Sequence, residues 1–135
     1  MTLLVCVDKK NGMAFHQRRQ SMDRLVRADI LSTVDGKALW MTPYSARQFV
    51  EPGLSLHLAD APAAQVGTDE FCFLEFPPLA PYLGRIDTLV LYRWDRIYPA
   101  DQSMDLNLEE NFHLCFTHVF SGHSHPKITK EVYER

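Results

Sequence analysis

Four groups of residues have types and spacings suited to chemistry. Gln17-Arg18-Arg19-Gln20-Ser21-Met22-Asp23-Arg24 is the most polar and basic stretch of the 135-residue chain. Arg18, Arg19 and Arg24 offer forked guanidinium donors that match a phosphate or a carboxylate; the plain alternative is a solvated loop with Arg24 on an exposed helix face. Thr42-Pro43-Tyr44-Ser45 reads as a helix start, with threonine as cap and proline in the first helical position. Thr42 and Ser45 there suit a small anion, or simply cap. Gly122-His123-Ser124-His125 sets two imidazoles one residue apart. Zinc needs three or four ligands in a closed geometry. The nearest other histidines, His113 and His118, fall on an expected strand, so no metal site is expected and the turn pair reads as structural. Arg93 and Arg96 flank Trp94. Arginine and aromatic mixtures stack bases, but one such cluster on a chain of net charge −3 does not make nucleic acid an expected partner.

The elements that must position these groups follow from periodicity. Residues 2–7 are a continuous apolar run ended by Asp8-Lys9-Lys10-Asn11-Gly12, which predicts a buried strand and a turn at Asn11-Gly12. Ser21 reads as a helix N-cap with Asp23 in the first turn. Met22, Leu25, Val26 and Ile30 fall on one helical face, and Asp35-Gly36 ends the helix. Residues 38–41 form a second apolar run, and the helix opened by Thr42-Pro43 is expected to reach about Val50, before Pro52-Gly53. Leu54, Leu56 and Leu58 alternate with polar residues as a strand does. Residues 71–76 and 86–95 are further strands, with Pro77, Pro78 and Pro81 limiting any helix between them to about a turn. Residues 98–110 read as a loop, and 112–120 and 127–133 as two closing strands. Strands joined by helices predict parallel pairing first, and the last two predict an antiparallel edge.

Composition bounds the class. Hydrophobic residues make up 46% and charged residues 23%, as in ordinary globular domains. A chain of this length buries roughly two-thirds of its unfolded surface and needs no staples. Cys6, Cys72 and Cys115 each lie in an apolar run, so buried free thiols and a reducing cytoplasm are expected. The N-terminal run is too short and lacks the basic lead of a signal peptide, and no run approaches a membrane span.

Val7-Asp8-Lys9-Lys10-Asn11-Gly12-Met13 resembles the first-strand exit of dihydrofolate reductases, where the chain reads V-D-x-x-x-G-M. Trp40-Met41-Thr42-Pro43-Tyr44-Ser45 falls where the family has M-G-R-x-T. Leu89-Val90-Leu91 through Asp95 to Asp101 keeps the family spacing between a late strand and an acidic residue beyond it. Glu131-Val132-Tyr133-Glu134-Arg135 is similar to the closing E-I-L-E-R. The order of these pieces, with a deletion in the middle, carries the resemblance. It implies an α/β fold for residues 1–135 as a single domain: three-layer α/β/α, mostly parallel central sheet, antiparallel C-terminal edge.

The resemblance also implies one surviving catalytic position. The family's carboxylate at the start of the first helix binds the pterin and supports its protonation, and Asp23 falls about there. A partly buried carboxylate can tune a proton transfer, in which case its pKa is expected to be raised; the alternative is a carboxylate favoured by the helix dipole. The departures from the family are four. Its turn glycine and arginine are Thr42 and Pro43. Its glycine run is Glu75-Phe76-Pro77-Pro78. The adenosine segment is cut to residues 59–69, and Leu54-Ser55 follows Pro52-Gly53 where the family has an arginine for the folate tail. Glycines let N–H groups approach a pyrophosphate, whereas prolines remove donors and Glu75 repels. No NADPH cofactor and no dihydrofolate reduction are therefore expected.

The small bacterial group that the chain resembles often carries the label ribonuclease Z. Members of that metallo-β-lactamase family show H-x-H-x-D-H on an early loop. Here His125 is followed by Pro126-Lys127, and the chain is far too short for that fold. In open sheets ligands sit beyond the carboxyl ends of the strands. Val7, Asp23, Thr42, Ser45 and Tyr92 are thus expected around one cleft, with Arg18 and Arg19 at its mouth, binding a small polar or anionic ligand. The alternative is an enzyme using Asp23 as acid or base. A homodimer, or a soluble partner docking on Phe15 or Trp94, is also compatible with the sequence.

Overall fold

The computed structural model describes residues 1–52 and 54–135. Gly53, part of the expected Pro52-Gly53 turn, lies outside the described residues. The apolar runs become the central strands: β1 (Thr2–Val7), β4 (Ala38–Met41), β6 (Phe71–Phe73) and β7 (Thr88–Trp94). With β5 (Ser55–Leu58), β9 (His113–Phe120) and β10 (Ile128–Glu134) they form a seven-stranded sheet in the order β5-β4-β6-β1-β7-β10-β9. The five strands from β5 to β7 are parallel. β10 runs antiparallel to both β7 and β9, which gives the expected antiparallel edge.

Strand alternation sends side chains to two cores. Leu4, Leu39, Met41, Phe73, Val90, Tyr92 and Trp94 meet α1 (Arg24–Val34) on one face. Leu3, Val5, Val7, Leu89 and Leu91 lie on the other, covered by Ala63, Val66, Leu79 and Ile86. The second covering layer consists of 3-10 turns at Pro62–Ala64 and Ala80–Arg85, because prolines there forbid a longer helix. Among the described residues no helix is long and apolar enough to cross a membrane.

Several local expectations are corrected. Asp23, not Ser21, is the N-cap of α1, and the buried face is Val26, Ile30 and Val34, with Met22 and Leu25 exposed. α2 (Pro43–Ala46) is a single turn and stops four residues short of Val50. A small second sheet, β3-β2-β8, joins β2 (Gly12–Phe15), β3 (Arg18–Arg19) and β8 (Gln102–Ser103). Residues 98–110, read as loop, thus supply a strand and the start of a helical turn, α3 (Leu108–Asn111). Trp94 is 1% exposed and is no docking arm. Cys115 is exposed rather than buried, since β9 is the outermost strand and pairs only with β10.

Candidate functional site

Two polar clusters are built from the loops around the parallel strands. The first joins β3, the start of α2 and the segment after β6. Thr42 caps α2, its Oγ1 accepting from Ser45 N at 3.2 Å. Ser45 Oγ in turn donates to Glu75 Oε1 at 2.8 Å. Arg19 donates from Nε to Glu75 Oε2 at 2.7 Å and from Nη2 to Oε1 at 3.1 Å, a bidentate, charge-assisted pair. Its guanidinium lies 4.3 Å from the centre of the Tyr44 ring. Glu75 is only 7% exposed. The donors that suited an external anion are therefore held on an internal carboxylate.

The second cluster is centred on Asp23, which is 3% exposed. Its Oδ1 accepts from Leu25 N at 2.8 Å and His123 N at 2.9 Å. Its Oδ2 accepts from Ser124 N at 2.9 Å and Ser124 Oγ at 3.2 Å, and lies 2.8 Å from His125 Nδ1. The turn carrying these groups is closed by Gly122 N donating to His125 O at 2.8 Å. The turn is tight at Gly122: a Cβ there would sit 2.6 Å from both Asp23 Oδ2 and Ile128 Cδ1, so these side chains would have to shift to admit one. Burial alone would raise the Asp23 pKa. The hydrogen bonds from His123, His125, Ser124 and Leu25 outweigh it and hold the carboxyl well below its ordinary range. The expected raised pKa is thus overturned, because the donors stabilise the charged form.

His125 carries the cluster further. Its Nε2 is 2.8 Å from Ser21 Oγ and 3.3 Å from the Tyr98 hydroxyl, and its ring stacks on Trp94 with centroids 4.5 Å apart. Tyr98 is positioned by Asp8, whose carboxylate accepts from the N–H groups of Gly12, Lys10 and Tyr98 and from the Gln20 amide. These bonds outweigh burial and lower the Asp8 pKa as well.

The residues expected around one cleft do not share one. Arg19, Thr42 and Ser45 meet at Glu75. Asp23 belongs to the His125 cluster, and Arg18 is exposed on the rim of a hollow of about 450 Å³ that Phe15, Gln20 and Tyr98 also line. Val7 and Tyr92 line no cleft, being fully buried on opposite faces of the sheet. The Tyr92 hydroxyl donates to Asp29 Oδ2 at 2.5 Å, and burial with that carboxylate pushes its phenol far above the ordinary value. Between the two polar clusters, Cys6, Phe49, Phe73 and Trp94 close the space to about 10 Å³, room for one water at most. The open hollow at the carboxyl ends of β4, β5 and β6 is about 360 Å³ and is lined by Thr42, Asp60, Glu75, Phe76, Pro78 and Tyr82. On the exposed β9–β10 pair, His113, Cys115 and Glu134 bring three ligand atoms within 4.8 Å of one another, away from the turn histidines.

Ser21, Tyr98, Asp8 and the partnership of His125 were not anticipated. The Gly122-His123-Ser124-His125 motif was visible, but its partner lies about a hundred positions away in the chain.

No family model and no curated protein sequence matches the chain. Among solved structures it is similar to the dihydrofolate reductase from Enterococcus faecalis complexed with NADP(H) and RAB-propyl. The TM-score is 0.71 at 6% identity, and the match covers 99% of this chain and 95% of that one. At such low identity the likeness concerns the backbone alone, but it extends over nearly the full length of both chains. The chain is therefore built on the dihydrofolate reductase fold.

Proposed function

We propose that this protein is a small-molecule-binding domain on the dihydrofolate reductase scaffold that works without NADPH. Its ligand is a neutral or cationic polar molecule seated in the 360 Å³ hollow beyond β4, β5 and β6. The observation that carries this reading is Glu75. A pyrophosphate needs converging N–H donors. Glu75 already engages Arg19 and Ser45, and Asp60 adds a second carboxyl group to the lining. Pro77 and Pro78, at the same wall, carry no N–H. The residues present do not fit a dinucleotide phosphate.

With Glu75 paired to Arg19, the lining of the hollow holds Asp60 and, among the described residues, no Lys or Arg, which narrows the expected ligand from polar or anionic to neutral or cationic. Phe76 and Tyr82 supply flat aromatic walls, and the volume lies in the range of small-molecule sites. Asp23 as a general acid or base is disfavoured, because its carboxylate is saturated with donors.

The test is a thermal-shift panel of NADPH, folates, pterins, nucleotides and cationic heterocycles. A ligand at a hundred times its Kd adds about 2.7 kcal/mol, an easily read shift. A neutral or cationic heterocycle is expected to stabilise the protein, with the shift lost in Phe76→Ala. A saturable shift with NADPH overturns the reading.

A further inference from the structure

We propose that Ser21, His125 and Asp23 form an acyl-transfer site, with Ser21 Oγ as nucleophile and His125 as general base. Asp23 is the positioning carboxylate, and the substrate is a small ester carrying an anionic group. The inference is independent of the hollow beyond β4, β5 and β6.

The geometry is that of a nucleophile, a base and an orienting acid in one hydrogen-bonded line. Ser21 Oγ to His125 Nε2 is 2.8 Å, and His125 Nδ1 to Asp23 Oδ2 is 2.8 Å. Such a line is recognised by distances and roles, whatever the fold or the order of the residues in the chain. Asp23 is held charged by four other hydrogen bonds, so it accepts only. The neutral imidazole must then carry its hydrogen on Nδ1 and turn its lone pair toward Ser21. The ring cannot swing, because Trp94 stacks against it and the Gly122 turn fixes its backbone. Holding the turn would account for the backbone bonds to Asp23. It would not require an imidazole whose far nitrogen meets a serine hydroxyl.

Access and substrate class come from Tyr98. Ser21 is half-buried and lines neither open hollow itself; Tyr98, which shares His125 Nε2 with it, borders the 450 Å³ hollow with Arg18 and a second hollow of about 200 Å³ with Asp95, Arg96, Lys127 and His125. The first hollow carries Arg18, and the second carries Arg96 and Lys127 against the single carboxylate of Asp95, so cations outnumber anions in both, which suits a carboxylate or phosphate on the substrate.

In the reaction, Ser21 Oγ bonds to the ester carbonyl carbon as its proton passes to His125 Nε2, and the carbonyl π pair moves to oxygen. Once Nε2 carries a proton it no longer accepts from Tyr98, whose hydroxyl is released to donate to the oxyanion. Collapse breaks the ester C–O bond, and the leaving alkoxide takes the proton from Nε2 and departs as the alcohol. Water then gives a proton to Nε2 and attacks the acyl carbon. The acid is released and Ser21 regains its proton. Ester and water give acid and alcohol, with no change of oxidation state.

The experiment uses the full chain. A fluorophosphonate is added and its site mapped by peptide mass spectrometry, and hydrolysis of mono-(4-nitrophenyl) succinate is followed beside 4-nitrophenyl acetate. One adduct is expected, on Ser21. Ser21→Ala and His125→Gln are expected to lower the succinate ester rate by at least about 100-fold. Asp23→Asn keeps a side-chain oxygen to cap α1 but offers an amide to Nδ1. It is expected to lower kcat with KM unchanged while the protein still unfolds cooperatively, a split that a purely structural role would not produce. Absence of an adduct on Ser21, or a wild-type rate in folded Ser21→Ala, overturns the site. Equal kcat/KM for the acetate and succinate esters overturns the anionic substrate.

Discussion

Glu75 shows how a residue's role depends on what folding places beside it. The resemblance sets it in place of a glycine run, as a charge expected to repel phosphate; in the structure it is one half of an ion pair. Its partner Arg19 lies 56 positions earlier, so the ion pair is invisible in one dimension. Truncating Glu75 should leave the Arg19 fork and the Ser45 hydroxyl without their acceptor. Removing one member of a buried pair is costly, but Arg19 keeps 20% exposure and some access to water. Glu75→Ala is therefore expected to lose about 2–3 kcal/mol in urea unfolding. Inorganic phosphate should restore part of this loss in the variant and leave the wild type unchanged, since only the variant has free donors there. The cysteines make the same point. All three sit in apolar runs, but position in the sheet separates them. Burial pushes the Cys72 thiol up to about 12 and Cys6 further still, whereas Cys115 is exposed on β9. Iodoacetamide under native conditions should label Cys115 alone, because the thiolate is the reacting form.

At the scale of elements, long apolar runs were legible and short pieces were not. β1, β4 and β7 lie where continuous hydrophobic stretches placed them. β3 and β8 are two residues each and carry no periodicity, so the small sheet could be found only through its pairing. α1 began later than expected because Asp23 outcompetes Ser21 as cap, binding both the helix and the Gly122 turn. That double duty makes the junction sensitive to volume. Gly122→Ala would push a methyl group against Asp23 and Ile128, and overpacking of this kind costs about 1–3 kcal/mol. The junction is also sensitive to acid. Asp8 and Asp23 both titrate below their ordinary value when folded, and that value is about 3.9 in an unfolded chain. Between the two pKa values the unfolded chain binds more protons, so stability rises with pH in that window. It should be fully present above about pH 4 and lost as pH falls further. Urea titrations between about pH 2 and 6 should show this slope, reduced in Asp8→Asn and in Asp23→Asn.

For the whole molecule, the order of strands and helices carried the fold, and loops distant in sequence carried the chemistry. β1 lies between β6 and β7 at the centre of the sheet, while β9 is outermost with Leu114, Phe116 and Val119 exposed. Local opening follows such differences in burial and pairing. Amides of β1 and β7 should exchange hydrogen most slowly, and those of β9 that face away from β10 should exchange fast. Against that background the Gly122 turn is an anomaly worth measuring. It is a surface loop, yet the His123 and Ser124 N–H groups are both held on the buried Asp23 carboxylate. Their exchange should therefore be slowed well beyond that of ordinary loop amides. Asp23→Ala should abolish that protection while leaving β1 and β7 protected. If β1 and β7 lost protection to the same degree, the turn would be part of the global folding unit, and the His125 cluster would be only as mobile as the core.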